Sequence, residues 1–590
     1  SNGKANEKTI FSYQEDSENG NLQVCMTNSD GTTKKAVSDR YGQGIFYEDE
    51  VGGITTYQYD ENHNMIAYRA PDGSGESYTY DDEGNLESIT ETNGKKYQYT
   101  YDEQRHVTSM IGNDGTNVKY TYNEKGQRKT VTGRNGLYAE YTYNEQGQIL
   151  TEKSGLGMLT YHYENGMLST LADRGGRKYS FEYDANGNVI RSIDGNGTVR
   201  DYKVDVSGRV LSEAVELEDG RKALTIYTYD LHGNVLTSTD PMGNVTKYTY
   251  DDEDRVTKTI RPDGSTLCYD YDENGNLTEV IYPDGETTVK AIYDAAGNTL
   301  ELTDTLKSIQ KGIYSPGSQI LSLTQANGGE VSYTYYENGL LSSQTDANGN
   351  AVVFRYDDAG RVSETEDADG NRTIYRYDVD GNLKEIEDAL GNTIQFVYNA
   401  YRKIVKQTDA NGNVTTYDYD NDLNCIRMTD AEQGITEFAY DANGQILSVT
   451  KKGDTADISM SMIYDALGNV TSITDGEGNI HSMEYNLVSN LTAVYDAKGV
   501  KTEEYAYDSL GNVVSVTDAD GNVITNMYDS FGNLIKQMNE STKDVATYAY
   551  IGGRYLAASS DALGNTATMT YDSMGNIATL TNPNGGVTSY

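Results

Sequence analysis

The five histidines, His63, His106, His162, His232 and His481, are the residues best suited to acid–base or metal chemistry, and their spacing supports neither. No pair falls at the separation that puts two ligands on one helix face, as in HExxH. His162 lies between Tyr161 and Tyr163, in a stretch of strand composition, and reads as a packed or solvated ring. Cys25, Cys268 and Cys425 are far apart and form no CxxC pair, so they supply neither a disulfide framework nor a zinc site. GxSxG, Walker and GxGxxG patterns are absent; Gly195-Asn-Gly197 and Gly476-Glu-Gly478 read as turn glycines. Carboxylates recur in every turn-like cluster, so no two stand out as the acid and base of a glycosidase or lyase. Asp367-Ala-Asp369-Gly370-Asn371 and Asp518-Ala-Asp520-Gly521-Asn522 alternate oxygen donors in a way that suits calcium. Their glycine falls at loop position four rather than six, and no Glu completes the loop at twelve. They read as turns bonded to their own backbone, with weak surface cation binding as the alternative. The catalytic, cofactor-binding and metal-binding sets are therefore empty, and the expectation is a protein that is not an enzyme and needs no cofactor.

Composition narrows the partners. Over 590 residues, 47 Lys and Arg face 91 Asp and Glu, a net charge of −44. That balance argues against nucleic acid, whose binding needs basic patches that release counterions, and against anionic membrane surfaces. No apolar run is long enough for a membrane-spanning helix. Ser1 to Ile10 has neither the apolar core nor the cleavage site of a secretory signal. Ser1-Asn2 reads as a candidate cloning scar, with any export signal upstream of it. The 52 tyrosines, against 7 Phe and no Trp, are too many for a disordered chain, which is poor in aromatics. They must pack.

What they pack is a repeat. Tyr-Asp recurs at Tyr59, Tyr80, Tyr101, Tyr183, Tyr229, Tyr250, Tyr271 and Tyr293, then at Tyr356, Tyr377, Tyr419, Tyr440, Tyr464, Tyr507, Tyr528 and Tyr571. Degenerate copies such as Tyr122-Asn123, Tyr335-Tyr336 and Tyr485-Asn486 fill the gaps, giving about 25 units at a mean spacing of about 21 residues. The intervals 204–229 and 440–464 are longer and imply small insertions. Residues 1–50 match poorly, with Tyr13 and Gly20-Asn21-Leu22 as one worn copy, and 51–590 form the continuous array. In each unit two runs rich in Tyr, Val, Thr and Ile alternate with Asp/Asn/Gly clusters, the composition of strands and tight turns. Tyr248 and Tyr250, two apart, point to one face. Leu86 and Ile89, Leu383 and Ile386, and Val470 and Ile473 are three apart, which requires either two partly apolar faces or a bulge in each hairpin. Helical periodicity is absent, so the fold class is all-β.

About 25 hairpins make about 50 strands, and an open twisted sheet of that size curls or closes. The expected architecture is a long antiparallel meander that coils, each turn pairing edge to edge with the next or stacking on it. Tyrosine rows suit a glycan-binding face as well, but rings present in every unit read first as the cross-strand packing of the hairpins. The acidic surplus solvates the turns and opposes aggregation of exposed sheet edges.

The unit Tyr-x-Tyr-Asp-x-x-Gly-Asn/Arg-Leu/Val, as in Tyr356 to Val362 and Tyr571 to Ile577, resembles the YD repeat of the Rhs family, and the resemblance covers about 51–590. That family includes bacterial polymorphic toxins, wall-associated proteins, shell subunits of insecticidal toxin complexes and animal teneurins. The resemblance implies a spiralling β-sheet closed into a shell or barrel, secreted or held at the cell surface or wall. In the toxin members such a shell encloses a C-terminal toxic domain of the same polypeptide, which would be the partner here. In teneurins it serves adhesion, so a scaffold for a surface ligand or glycan is the second reading. The toxin members' self-cleaving aspartate pair is not found. Asp240-Pro241-Met242-Gly243 occupies an ordinary mid-array turn, and the next Tyr-Asp would fall near position 592, so the sequence is expected to stop inside a repeat.

Overall fold

The computed structural model describes residues 9–16, 18–28 and 31–590; Ser1-Asn2 lies outside them. The described chain is a single antiparallel sheet of 55 strands, from Ile10–Glu15 to Val587–Ser589, with no helix. Every strand pairs with its neighbour in sequence, so the sheet is an uninterrupted meander. The strands Ile10–Glu15, Leu22–Thr27, Thr33–Ser38 and Gly44–Glu48 join the same ladder as the regular units.

The unit at 75–101 shows how the sequence makes the hairpin. Strand Gly75–Tyr80 ends in the turn Asp81–Asn85, where Asp81 N donates to Asn85 O and Gly84 N to Asp81 O, both at 2.9 Å. This is a three-residue loop on a type I turn, and its third residue must be left-handed; Gly84 supplies φ 81°. Asp81 Oδ1 accepts from Asn85 N at 2.7 Å and Glu83 N at 3.1 Å, while Asn85 Nδ2 donates to Asp81 Oδ2 at 2.9 Å. The Asp, Gly and Asn of the motif therefore each satisfy a specific backbone demand. A second turn, at 91–95, leads to the next strand, Lys96–Tyr101. We call the first kind the tyrosine turn and the second the return turn.

The three-residue apolar spacing is resolved by a bulge. Thr79 pairs with Ser88 but Tyr80 with Leu86, so Glu87 is the extra residue. Leu86 and Ile89 then share a face, opposite Tyr80 and Tyr78. The same shift recurs at Tyr377, which pairs with Leu383 while Tyr375 pairs with Ile386.

The two longer intervals are local. Strands Val210–Glu216 and Lys222–Tyr229 extend one hairpin, and a loop at 452–457 separates Ile446–Lys451 from Ile458–Tyr464.

The wall is one sheet thick. No large side chain is fully buried among the described residues, and the apolar residues under a tenth exposed are Val215, Leu217, Ala223, Ala359 and Ala493. The accessible surface is 33874 Å²; a compact protein of 65.0 kDa would show about 20,500 Å². The excess is what a sheet with both faces in solvent requires.

The chain coils on itself about once every twelve repeats, since bonds between successive coils join residues 245 to 269 apart. Of the two expected modes of coil contact, edge pairing is absent among the described residues, where no strand of one coil hydrogen-bonds a strand of the other. Strands run their full ladder with sequence neighbours, which leaves the turns and the strand ends beside them to meet across coils.

Candidate functional site

Three surfaces define what this molecule offers: two sheet faces and the seam between the coils. The first face carries the tyrosines. In most Tyr-Asp repeats the Tyr reaches back over the preceding hairpin, its hydroxyl donating to a carbonyl fifteen residues upstream, or sixteen to nineteen at Tyr229, Tyr293, Tyr464 and Tyr507. Tyr80 donates to Met65 O at 2.8 Å, Tyr356 to Leu341 O at 2.9 Å and Tyr419 to Ile404 O at 2.7 Å. Burial raises the pKa of Tyr80, Tyr356 and Tyr419 above the ordinary phenol value, which keeps the donors protonated at neutral pH. These hydroxyls are committed to the wall.

The opposite face carries the middle residue of Tyr-x-Tyr. Threonines pair across strands there, as in Thr121 with Thr130 and Thr142 with Thr151, each 2.6 Å apart. Between Ala351 and Tyr398 the face becomes charged: Arg355 meets Glu364 at 2.5 Å and Glu366 at 2.9 Å, and Arg376 bonds Glu385 and lies 2.7 Å from Glu387. Ile292 and Ile313 interrupt it as apolar positions, more than half exposed.

Across the seam, return turns of the first coil wedge between neighbouring tyrosine turns of the second. Arg134 Nη1 donates to Val379 O at 3.3 Å and Asn135 Nδ2 to Ala400 O at 3.2 Å, so one return turn engages two tyrosine turns. Arg177 repeats the arrangement, pairing with Asp422 and donating to Asp441 O at 3.2 Å while Asp173 holds its Nε at 2.6 Å. Arg69 reaches Glu337 O at 3.0 Å, Asn113 reaches Asp358 O at 2.8 Å, and Arg261 reaches Ser530 O. From the other side, Arg361 donates to Asp114 O at 3.3 Å. Asn196 and Asn443 cross reciprocally, onto Asp441 at 2.9 Å and Asp194 at 3.2 Å. Gly115 and Gly381 face each other so closely that a Cβ on either would strike the opposing backbone. Between Asn443 and Ser530 the seam holds two cavities, one of 550 Å³ beside Asn196, Glu218 and Leu467, and one of 510 Å³ beside Met242, Asn486 and Tyr505.

The histidines are dispersed. His63 touches Gln43 at 3.1 Å, His106 touches Asp102 at 3.0 Å and stacks on Tyr122, and His232 meets Asp254 at 2.8 Å. His162 lies on strand Gly157–Glu164 with its side chain 70% exposed, and His481 on Ile480–Tyr485. The described residues contain no group of three His, Cys, Asp or Glu that could hold a metal. In the Asp-rich turns, Asp367 accepts from Asp369 N, Asn371 N and Asn371 Nδ2 at 2.8–3.0 Å. Those bonds, the Asn371 side chain first, hold the carboxyl below its ordinary range. Asp518 is bonded in the same way. Asp240 to Asn244 is a return turn, as its sequence implies. The seam residues were missed by sequence reasoning. The one available signal was that return turns before residue 330 depart from the Asp-Ala-x-Gly-Asn form that dominates after it.

A single sheet of tandem hairpins wound into stacked coils defines the class: a spiral β-shell wall. The model of the teneurin YD-shell matches residues 348–525, and that of the RHS repeat matches 80–117, 161–199, 229–266, 271–309 and 552–587. The chain belongs to the Rhs/YD-repeat family. Among solved structures, TcdB2-TccC3 superposes over 98% of this chain and 45% of its own, with TM-score 0.58 and 13% identity. A TcdB2-TccC3-Cdc42 structure matches over 99% and 47%, at 0.57 and 12%. A Tc holotoxin pore of Photorhabdus luminescens matches over 97% and 42%, at 0.51 and 12%. The chain thus spans less than half the length of these structures, and at such identity the likeness is one of fold. No curated protein matches the sequence.

Proposed function

We propose that this chain is a structural, non-enzymatic wall segment of a secreted or cell-surface Rhs-type protein, and that the wall encloses and protects a C-terminal toxin or effector domain of the same polypeptide. The observation that carries this reading is the one-layer wall with solvent on both faces: a sheet that buries almost no core of its own is built to separate two spaces rather than to hold a catalytic cleft. The fold shared with the TcdB2-TccC3 structures supports it. The Asp-rich turns add to it, since their carboxylates are occupied by their own backbone. A second reading, an extracellular adhesion scaffold that binds a surface ligand or glycan, is favoured by the teneurin YD-shell match at 348–525.

Limited proteolysis of the native full-length polypeptide, read by mass spectrometry, separates the two. Under the shell reading, a fragment beyond Tyr590 survives until the repeat array unfolds. Immediate digestion of that fragment, or its absence, overturns enclosure and leaves the scaffold reading, for which binding by the isolated array becomes the assay.

A further inference from the structure

We infer that the seam is a parting line, along which the two coils separate from each other as intact hairpin ladders. The inference deepens the shell reading by naming where the wall opens, but the separation is a property of this chain with or without a passenger.

Four observations point to it. First, every hydrogen bond found between the coils is made at or beside a turn, so parting them breaks no ladder bond and each coil keeps its complete set of strand pairs. Second, the bonds that would break are chiefly Arg and Asn side chains on backbone carbonyls, groups that water satisfies readily. Third, buried polar atoms without a partner gather at this boundary: Arg174 Nε, Arg261 Nε, Thr305 Oγ1 and Tyr401 Oη. Each is a desolvated group in the closed state that hydration would relieve. Fourth, the two cavities between Asn196 and Ser530 already admit water-sized volumes into the seam. The wedging of each return turn between two tyrosine turns also fixes the direction of movement. Sliding one coil around the other is blocked by the neighbouring turns, whereas withdrawal along the coil axis is not, so separate notches must open together.

Ala359 supplies the reporter. It sits at the tip of the tyrosine turn Asp357–Arg361, is 7% exposed, and its neighbour Gly360 abuts Asn93 across the seam. Ala296, in the corresponding turn Asp294–Asn298 of the first coil, is exposed. In the full chain with Cys25, Cys268 and Cys425 replaced by Ser, Ala359→Cys is expected to react slowly with a thiol reagent and Ala296→Cys at once. Urea too dilute to reduce the β circular dichroism should accelerate the first and leave the second unchanged. Arg177→Ala, at a different notch, removes the contacts to Asp422 and Asp441 O and should accelerate labelling of Ala359→Cys by at least on the order of tenfold, as expected for loss of charged hydrogen bonds. If labelling at position 359 rises only as β signal is lost, or responds to Arg361→Ala beside it but not to Arg177→Ala, the coils do not part as units and the inference fails. Should a cysteine variant not fold, hydrogen exchange of peptides covering 357–361 and 294–298 in the unaltered chain reads the same contrast; should Arg177→Ala not fold, Arg177→Gln takes its place. Proteolytic protection of a downstream domain is scored separately, so either result leaves the enclosure reading to its own test.

Discussion

The return turns of the first coil and those of the second perform the same topological task with different chemistry. In the second coil they run Asp346-Ala-Asn-Gly-Asn350, Asp367-Ala-Asp-Gly-Asn371 and Asp388-Ala-Leu-Gly-Asn392, and every polar group but the tip turns inward onto the loop. In the first coil they read Ala70-Pro-Asp-Gly-Ser74, Gly112-Asn-Asp-Gly-Thr116 and Gly133-Arg-Asn-Gly-Leu137, and side chains leave the loop to bond the next coil. The pentapeptide Asp-Ala-Leu-Gly-Asn makes the contrast sharper, because it occurs in both settings. Leu390 and Leu563, on the free rim, are each 88% exposed, while Leu467, in a tyrosine turn at the seam, is half-buried. A turn that closes on itself suits a free rim; one that reaches outward needs a neighbour.

The strongest test of that contrast uses one substitution in two places. Gly381 and Gly391 have nearly the same left-handed φ, +82° and +84°, but Gly381 lies against Asp114 O and Gly391 faces open space. Gly391→Ala should cost about 1 kcal/mol of backbone strain. Gly381→Ala should cost about 3 kcal/mol, because a close-packed backbone must also move. Urea titration of the two variants measures the difference; equal costs would remove the seam as a structural contact. Arg177→Ala follows, with an expected loss of about 1.5 kcal/mol, whereas removing a rim charge such as Lys498 should change stability by under about 0.5 kcal/mol.

Acid provides the third test. Burial works against ionisation of Asp114, but bonds from the Thr116 N–H and hydroxyl and from the Tyr97 hydroxyl, with the Lys95 charge, outweigh it and hold its carboxyl to about 2. A depressed carboxylate stabilises the fold above its unfolded value near 4, and that contribution is lost as pH falls through about 2. After screening it amounts to about 1 kcal/mol. Asp114→Asn should therefore flatten the stability profile between pH 4 and 2, measured by thermal melts. A smaller gain is expected at Leu423, which holds φ 65° where most tyrosine turns place glycine. Leu423→Gly should stabilise by up to about 1 kcal/mol. Least of all, Leu390→Asn should be neutral within about 0.5 kcal/mol, while Leu467→Asn should be measurably worse.

The hairpin was legible because its causes are local. Tyr-Asp-x-x-Gly-Asn names a turn whose every bond closes within five residues, and the period of about 21 residues announces how often it recurs. The bulge was half legible: the spacing of Leu383 and Ile386 demanded either a bulge or two apolar faces, and only the pairing of Tyr375 with Ile386 decides between them. The seam left no comparable trace. Arg134 and Val379 stand 245 residues apart, and nothing in either local sequence names the other. Coil pitch depends on the summed twist of some two dozen strands, which no single repeat encodes.

The tyrosine bonds give the wall a direction in time as well as in space. Because Tyr80 fastens to Met65 O and Tyr356 to Leu341 O, each hairpin is latched by the one synthesised after it, and never by one still to come by more than a single repeat. Such nearest-neighbour contacts form quickly and in order. A growing chain can thus finish its wall strand by strand as it leaves the ribosome, while the first seam contact waits for about 250 further residues. The nascent ribbon is stable before it is a coil, and closure follows folding turn by turn rather than being a condition of it.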